Sequence, residues 1–170
     1  MSDLEMRVNI AKNLLQTSAQ FADGPSAIWE YTSNSLEYRD SPLNCKIDIQ
    51  IDKNQIIISD NSDGMDETIL KYFFTVSGEN QARKGKQKSW MKRGQFGTGK
   101  LAAFGIANQL QVETVRDGLK NIYFLSRQMI EDTPAHENSI KLKKITQNES
   151  TPEPNGTKIY INELNIKINK

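Results

Sequence analysis

Hydrophobic and polar residues alternate strictly between Cys45 and Ile51. Ile47, Ile49 and Ile51 fall on one side, and Lys46, Asp48 and Gln50 on the other. A period of two predicts a strand with one solvated face. After the polar turn Asp52-Lys53-Asn54 comes Ile56-Ile57-Ile58, an uninterrupted apolar run that predicts a strand buried on both faces. Upstream the period is different. Met6, Ile10, Leu14 and Phe21 recur at near-helical spacing and predict a helix over 5–21. Asp23-Gly24-Pro25-Ser26 breaks it, and Pro25 suits the first turn of a second helix running to about Tyr38.

Downstream of the isoleucine run, Asp60-Asn61-Ser62-Asp63-Gly64 reads as a turn before a helix over 66–76. Residues 77–93 (SGENQARKGKQKSWMKR) are basic and lack periodicity, the pattern of a long surface loop. A glycine-rich stretch from Gly94 to Gly99 then enters a small-residue helix over 100–107. Two apolar segments, 110–116 and 122–127, flank Asp117-Gly118, a hairpin signal. A polar stretch, 148–155, separates an apolar segment at 140–145 from a last strand at 157–161. Helices beside an antiparallel or mixed sheet predict an α+β, two-layer α/β sandwich in a single domain.

Composition narrows the chemistry. The chain has 170 residues, with 22 Lys and Arg against 21 Asp and Glu, so its net charge is only +1. A global attraction to nucleic acid or anionic membrane is not built in. One cysteine, Cys45, and one histidine, His136, exclude an internal disulfide and a Cys/His metal cluster. No membrane span or signal-peptide core is evident, so an intracellular, cytoplasmic protein is expected. Catalysis must rest on carboxylates, amides, glycines and lysines.

Four segments carry such groups. In Glu30–Glu37 (EYTSNSLE), Glu30 and Asn34 are four apart and share one helix face, with Glu37 near it. Alone they are ordinary surface polar residues. Asp60 leaves the end of an apolar strand and opens Asp60-Asn61-Ser62-Asp63-Gly64-Met65, where a carboxylate is well placed to bind a ligand. Gly94-Gln95-Phe96-Gly97-Thr98-Gly99-Lys100 presents backbone N–H groups at a helix start, suited to an anion. Its spacing imitates a P-loop, but Leu101 stands where Ser or Thr should bind magnesium, and no apolar strand precedes it, which also argues against a dinucleotide fold. Last, Asn155-Gly156-Thr157 turns into an alternating strand.

In this order the four segments resemble the GHKL superfamily, the ATPases of the Bergerat fold, which include gyrase, heat-shock ninety, histidine kinase, mismatch-repair and Morc proteins. Glu30-x-x-x-Asn34 is similar to the N-box, residues 60–65 to the D-x-G-x-G-M box, residues 94–100 to the glycine box and Gly156-Thr157 to the G-T box. The resemblance spans 26–162. It implies a mostly antiparallel sheet with helices on one face, and ATP and Mg2+ as ligands. By the same resemblance, Glu30 is the general base and Asn34 the magnesium ligand. Asp60 accepts from the adenine amino group, supported by Thr157, with Glu37, Gly64 and Met65 beside it. Gly94, Gln95, Phe96, Gly97, Thr98, Gly99 and Lys100 close over the phosphates, with 77–99 as a lid. Two residues depart from the pattern: Ser62 replaces the first glycine of the second box, adding bulk near the adenine floor, and Glu37 stands where chaperones and Morc-type members carry Asp.

Histidine kinases generally carry Asn at the position of Glu30, so a glutamate favours hydrolysis. The long lid resembles the chaperone, mismatch-repair and Morc branches. In those branches a downstream transducer domain supplies a lysine, and nucleotide drives dimerisation. The resemblance therefore implies an N-terminal domain of a longer chain, a nucleotide-dependent homodimer, and a slow rate in isolation. An anti-sigma-type protein kinase and an ATP-sensing module without turnover are the alternatives. The cluster Arg83, Lys84, Lys86, Lys88, Lys92 and Arg93 offers a contact to nucleic-acid phosphates, but a solvated lid that rearranges on nucleotide binding is the favoured reading, and a nucleic-acid or protein client stays open.

Overall fold

Alternating apolar residues build the inner strands, and the last strand in sequence takes a central place among them. The structure, a computed structural model, describes residues 10–37, 44–75, 99–134, 136–137 and 139–166. Helix α1 (Ile10–Ser18) and a 3-10 turn (Ala19–Phe21) precede helix α2 (Gly24–Glu37). Strands β1 (Ile47–Ile51) and β2 (Gln55–Asp60) form a hairpin leading to helix α3 (Glu67–Phe74). A 3-10 turn (Gly99–Leu101) and helix α4 (Ala103–Ile106) come next. They are followed by strands β3 (Ala107–Arg116) and β4 (Leu119–Ser126), helix α5 (Arg127–Glu131), and strands β5 (Lys143–Ser150) and β6 (Gly156–Leu164).

The sheet order is β1-β2-β6-β3-β4-β5, and every described pairing is antiparallel. Inserting β6 between β2 and β3 puts Thr157 opposite Asp60 on one side and Thr114 on the other. Alternation sends Ile56 and Ile58, Leu110 and Val112, and Ile159 and Ile161 into one inner layer, all buried. Ala27 and Tyr31 of α2, Leu70 of α3, and Phe104 and Ile106 of α4 complete that core.

Several boundaries differ from the sequence expectation. Ile57 is only half-buried, because in an antiparallel sheet the residue between two inward isoleucines faces outward. Ile49 and Ile51 share the inward register of Ile58 and Ile56, yet remain 41% and 50% exposed on a strand with one neighbour. The expected helix over 100–107 is a 3-10 turn plus one helical turn, and Ala107 is already extended. Its run of Leu, Ala and Phe is buried all round, so the segment carries no amphipathic period to reveal its length. Helix α5 was not expected; it is too short for periodicity, and its visible mark is Ser126, whose hydroxyl caps it by accepting from the Met129 N–H at 3.2 Å. The strand expected at 140–145 begins at Lys143 and runs through the polar residues to Ser150, since this edge strand is almost wholly exposed. Asp117 and Gly118, with φ of 52° and 76°, form the predicted hairpin turn.

Candidate functional site

Asp60 is the last residue of β2, where the strand stops and its side chain reaches the helix layer. Its Oδ1 accepts the N–H of Ser62 at 2.9 Å and that of Thr157 at 3.0 Å, while its Oδ2 accepts the Ser35 hydroxyl at 2.5 Å. Three donors from α2, the following turn and β6 thus hold one carboxylate in one orientation. Ser35 was not singled out from sequence. Its neighbour Asn34 carried the pattern, and only the packing of α2 on β2 brings the serine to Asp60.

The turn after Asp60 is set by Gly64. Its φ is +70°, and a Cβ there would lie 1.9 Å from the Val115 carbonyl oxygen, so only glycine fits. The next amide, Met65 N–H, donates to the Thr114 hydroxyl at 2.8 Å. Thr114 is fully buried on β3, and its Oγ1 also lies 3.2 Å from the Gly156 carbonyl oxygen and 3.2 Å from the Thr157 hydroxyl. It too escaped the sequence reading, as one inward position of an ordinary strand.

Asn34, Ser35, Asp60, Ser62, Met65 and Thr157 line one narrow cleft of about 30 Å³, with Phe73 and Ile159 on its apolar side. Ser62 is 5% exposed and lines this cleft. No hydrogen bond among the described residues ties down the Asn34 amide. One turn earlier on α2, Glu30 does not line this cleft. It opens onto a broad groove beside Phe21, Pro25 and Trp29. Burial raises the Glu30 carboxyl above its usual value of 4.5. Tyr31, between the two, is buried; its hydroxyl donates to the Lys100 carbonyl at 2.9 Å and accepts the Ala103 N–H at 3.1 Å. That pins the 3-10 turn Gly99–Leu101 to α2. The Lys100 ammonium donates to the carbonyl of Thr75, just past α3.

Gly99 touches Glu30. A Cβ on it would lie 2.0 Å from Glu30 Oε2, so any side chain must displace the carboxylate or the turn. Gly99→Ala is expected to move the melting temperature little, because the group in the way is the far end of the Glu30 side chain, which can swing aside. It should also lower any phosphate release more than nucleotide affinity. A circular-dichroism melt paired with a phosphate assay checks both. The glycine-box residues Gly94, Gln95, Phe96, Gly97 and Thr98, nearly all of the 77–99 lid, its basic cluster and the Glu37 side chain lie outside the described residues.

Residues 24–157 match the family described as histidine kinase-, DNA gyrase B- and HSP90-like ATPases. The chain belongs to this family. The match starts at the first residue of α2 and ends at Thr157, so it encloses all four motif segments of this GHKL domain. Its antiparallel six-stranded sheet with packed helices agrees with the Bergerat fold, and membership supports ATP binding. No curated protein gives a match. Among the described residues no helix is long and apolar enough to cross a membrane.

Proposed function

We propose that this GHKL domain binds ATP with magnesium and hydrolyses it. The observation that carries this reading is that Asn34, Asp60 and Thr157, from three distant segments, line one cleft, and Glu30 sits one turn along α2 against Gly99. Asp60, held by three donors, is the acceptor for an adenine amino group. Asn34 offers an amide oxygen with no competing partner among the described residues, which suits a cation that takes oxygen ligands and keeps waters. A bound magnesium supplies charge neutralisation at the phosphates. Glu30, with its raised pKa, is the base that orients water. Residues 77–99, by their resemblance to the family lid, close over the phosphates with Lys100 at their end. A homodimerisation cycle and a downstream transducer domain complete the reading, and a cytoplasmic setting suits it.

Calorimetric titration with ATP, with and without magnesium, tests it. The parent protein should bind ATP more tightly when magnesium is present. Asn34→Ala should lose that gain, binding as the parent does in a chelator. An Asn34→Ala protein that kept the full magnesium effect would remove Asn34 from the metal.

A further inference from the structure

Thr114 makes three polar contacts with a single hydroxyl: the Met65 N–H at 2.8 Å, the Gly156 carbonyl at 3.2 Å and the Thr157 hydroxyl at 3.2 Å. A hydroxyl has one proton to give and two lone pairs to receive. The amide of Met65 can only donate and the carbonyl of Gly156 can only accept. All three contacts are hydrogen bonds at once in one arrangement alone. Thr114 gives its proton to Gly156, and Thr157 gives its own proton to Thr114. At 0% exposure no water is available to Thr114 as a substitute partner.

That arrangement decides what the cleft offers. With its proton turned to Thr114, Thr157 presents only lone pairs to the cleft it lines. Asp60 is an acceptor as well, and Oδ1 already takes two N–H groups and Oδ2 one hydroxyl. One lone pair of Oδ2 remains. This edge of the cleft is therefore acceptor beside acceptor. It is matched by an amino group with two N–H donors and opposed by a carbonyl.

We infer that Thr114 is a positioning residue that sets base selectivity: by consuming the Thr157 proton it makes the cleft select a 6-aminopurine over a 6-oxopurine nucleotide. This rests on the adenine reading of the cleft proposed above. Without the Thr114 hydroxyl, Thr157 regains a free proton, can donate to a 6-oxo group, and the discrimination weakens.

The test compares ATP with inosine triphosphate, which differs by a 6-oxo group and a protonated N1. Affinities are measured by calorimetry on the full chain. The parent should prefer ATP. Thr114→Val should reduce that ATP-to-ITP ratio about tenfold, the worth of one hydrogen bond exchanged for a repulsion. Thr114→Ser, which restores the hydroxyl, should restore the ratio. A merely structural role for Thr114 would weaken both nucleotides equally, so an unchanged ratio in Thr114→Val overturns the inference. Should Thr114→Val fail to fold, Thr114→Cys carries the test, because a thiol is weak in both roles and must show the same fall. Asp60→Ala separates the two failures. If it erodes the ratio while Thr114→Val does not, the adenine site stands and the role of Thr114 falls. If the parent itself shows no preference for ATP, both fall together.

Discussion

Glu30→Gln is expected to bind ATP within a few-fold of the parent while phosphate release drops on the order of 10²-fold or more. The carboxylate lies against Gly99, where the glycine box meets α2, and not among the groups lining the Asp60 cleft. On the proposed reading it acts only as water attacks the γ-phosphate, taking the proton from that water, so its contribution belongs to the transition state and leaves ground-state binding intact. Glutamine keeps the shape and removes the basicity. Because burial raises the Glu30 pKa, the acid limb of the rate profile should lie above the usual 4.5, and activity should be lost as pH falls through it. Stability moves the other way. A carboxyl that holds its proton more tightly when folded destabilises the fold as pH rises through the window above 4.5, so Glu30→Gln should melt slightly higher than the parent at neutral pH, and the two should converge in acid. Parent-rate hydrolysis by Glu30→Gln would end the general-base role. Abolished ATP binding would make Glu30 a ligand contact.

Asp60→Ala is expected to weaken ATP binding by roughly 1–3 kcal/mol, about 5- to 150-fold, and to erode the preference for ATP over GTP. Two losses add. The adenine amino group loses its acceptor, and the Ser35 hydroxyl and the N–H groups of Ser62 and Thr157 lose theirs. Asp60→Asn separates them, since the amide retains one oxygen for the backbone donors but can turn an NH2 toward the base. It should fold closer to the parent and still bind ATP poorly. Affinities from calorimetry with melting curves on each variant distinguish recognition from local collapse. An Asp60→Ala protein that bound ATP as tightly as the parent would falsify the adenine assignment.

The parts of this molecule that carry local signatures are legible in its sequence. The Ile56-Ile57-Ile58 run located β2 and, through it, Asp60 at its end. The four-residue spacing of Glu30 and Asn34 located one face of α2, and Asp117-Gly118 located the β3–β4 turn. What escaped depends on register between distant segments. Ser35 matters because α2 lies across the end of β2, 25 residues away in sequence, and Thr114 because β3 flanks β6. Tyr31 carries no local signal of its role, yet its hydroxyl spans 69 residues to hold the Lys100 carbonyl. Nor does the shared helix face of Glu30 and Asn34 disclose that they open onto different hollows. That follows from where Gly99 docks against α2.

The placement of β6 between β2 and β3 also governs when the site comes into being. Thr157 reaches Asp60 across 97 residues, the longest closure in the cleft besides that of its own strand partners. Contacts that distant form late, because the chain must lose the entropy of a long loop before they reward it. On the ribosome, Asp60 and the α2 residues emerge well before the strand that completes their pocket. A nascent chain short of residue 157 lacks the strand that joins β2 to β3. If the cleft binds nucleotide as proposed, nucleotide stabilises only chains whose last strand has already seated, and it draws the equilibrium toward that completed register by mass action. Occupancy of the cleft would then report that this strand has taken its place in the sheet.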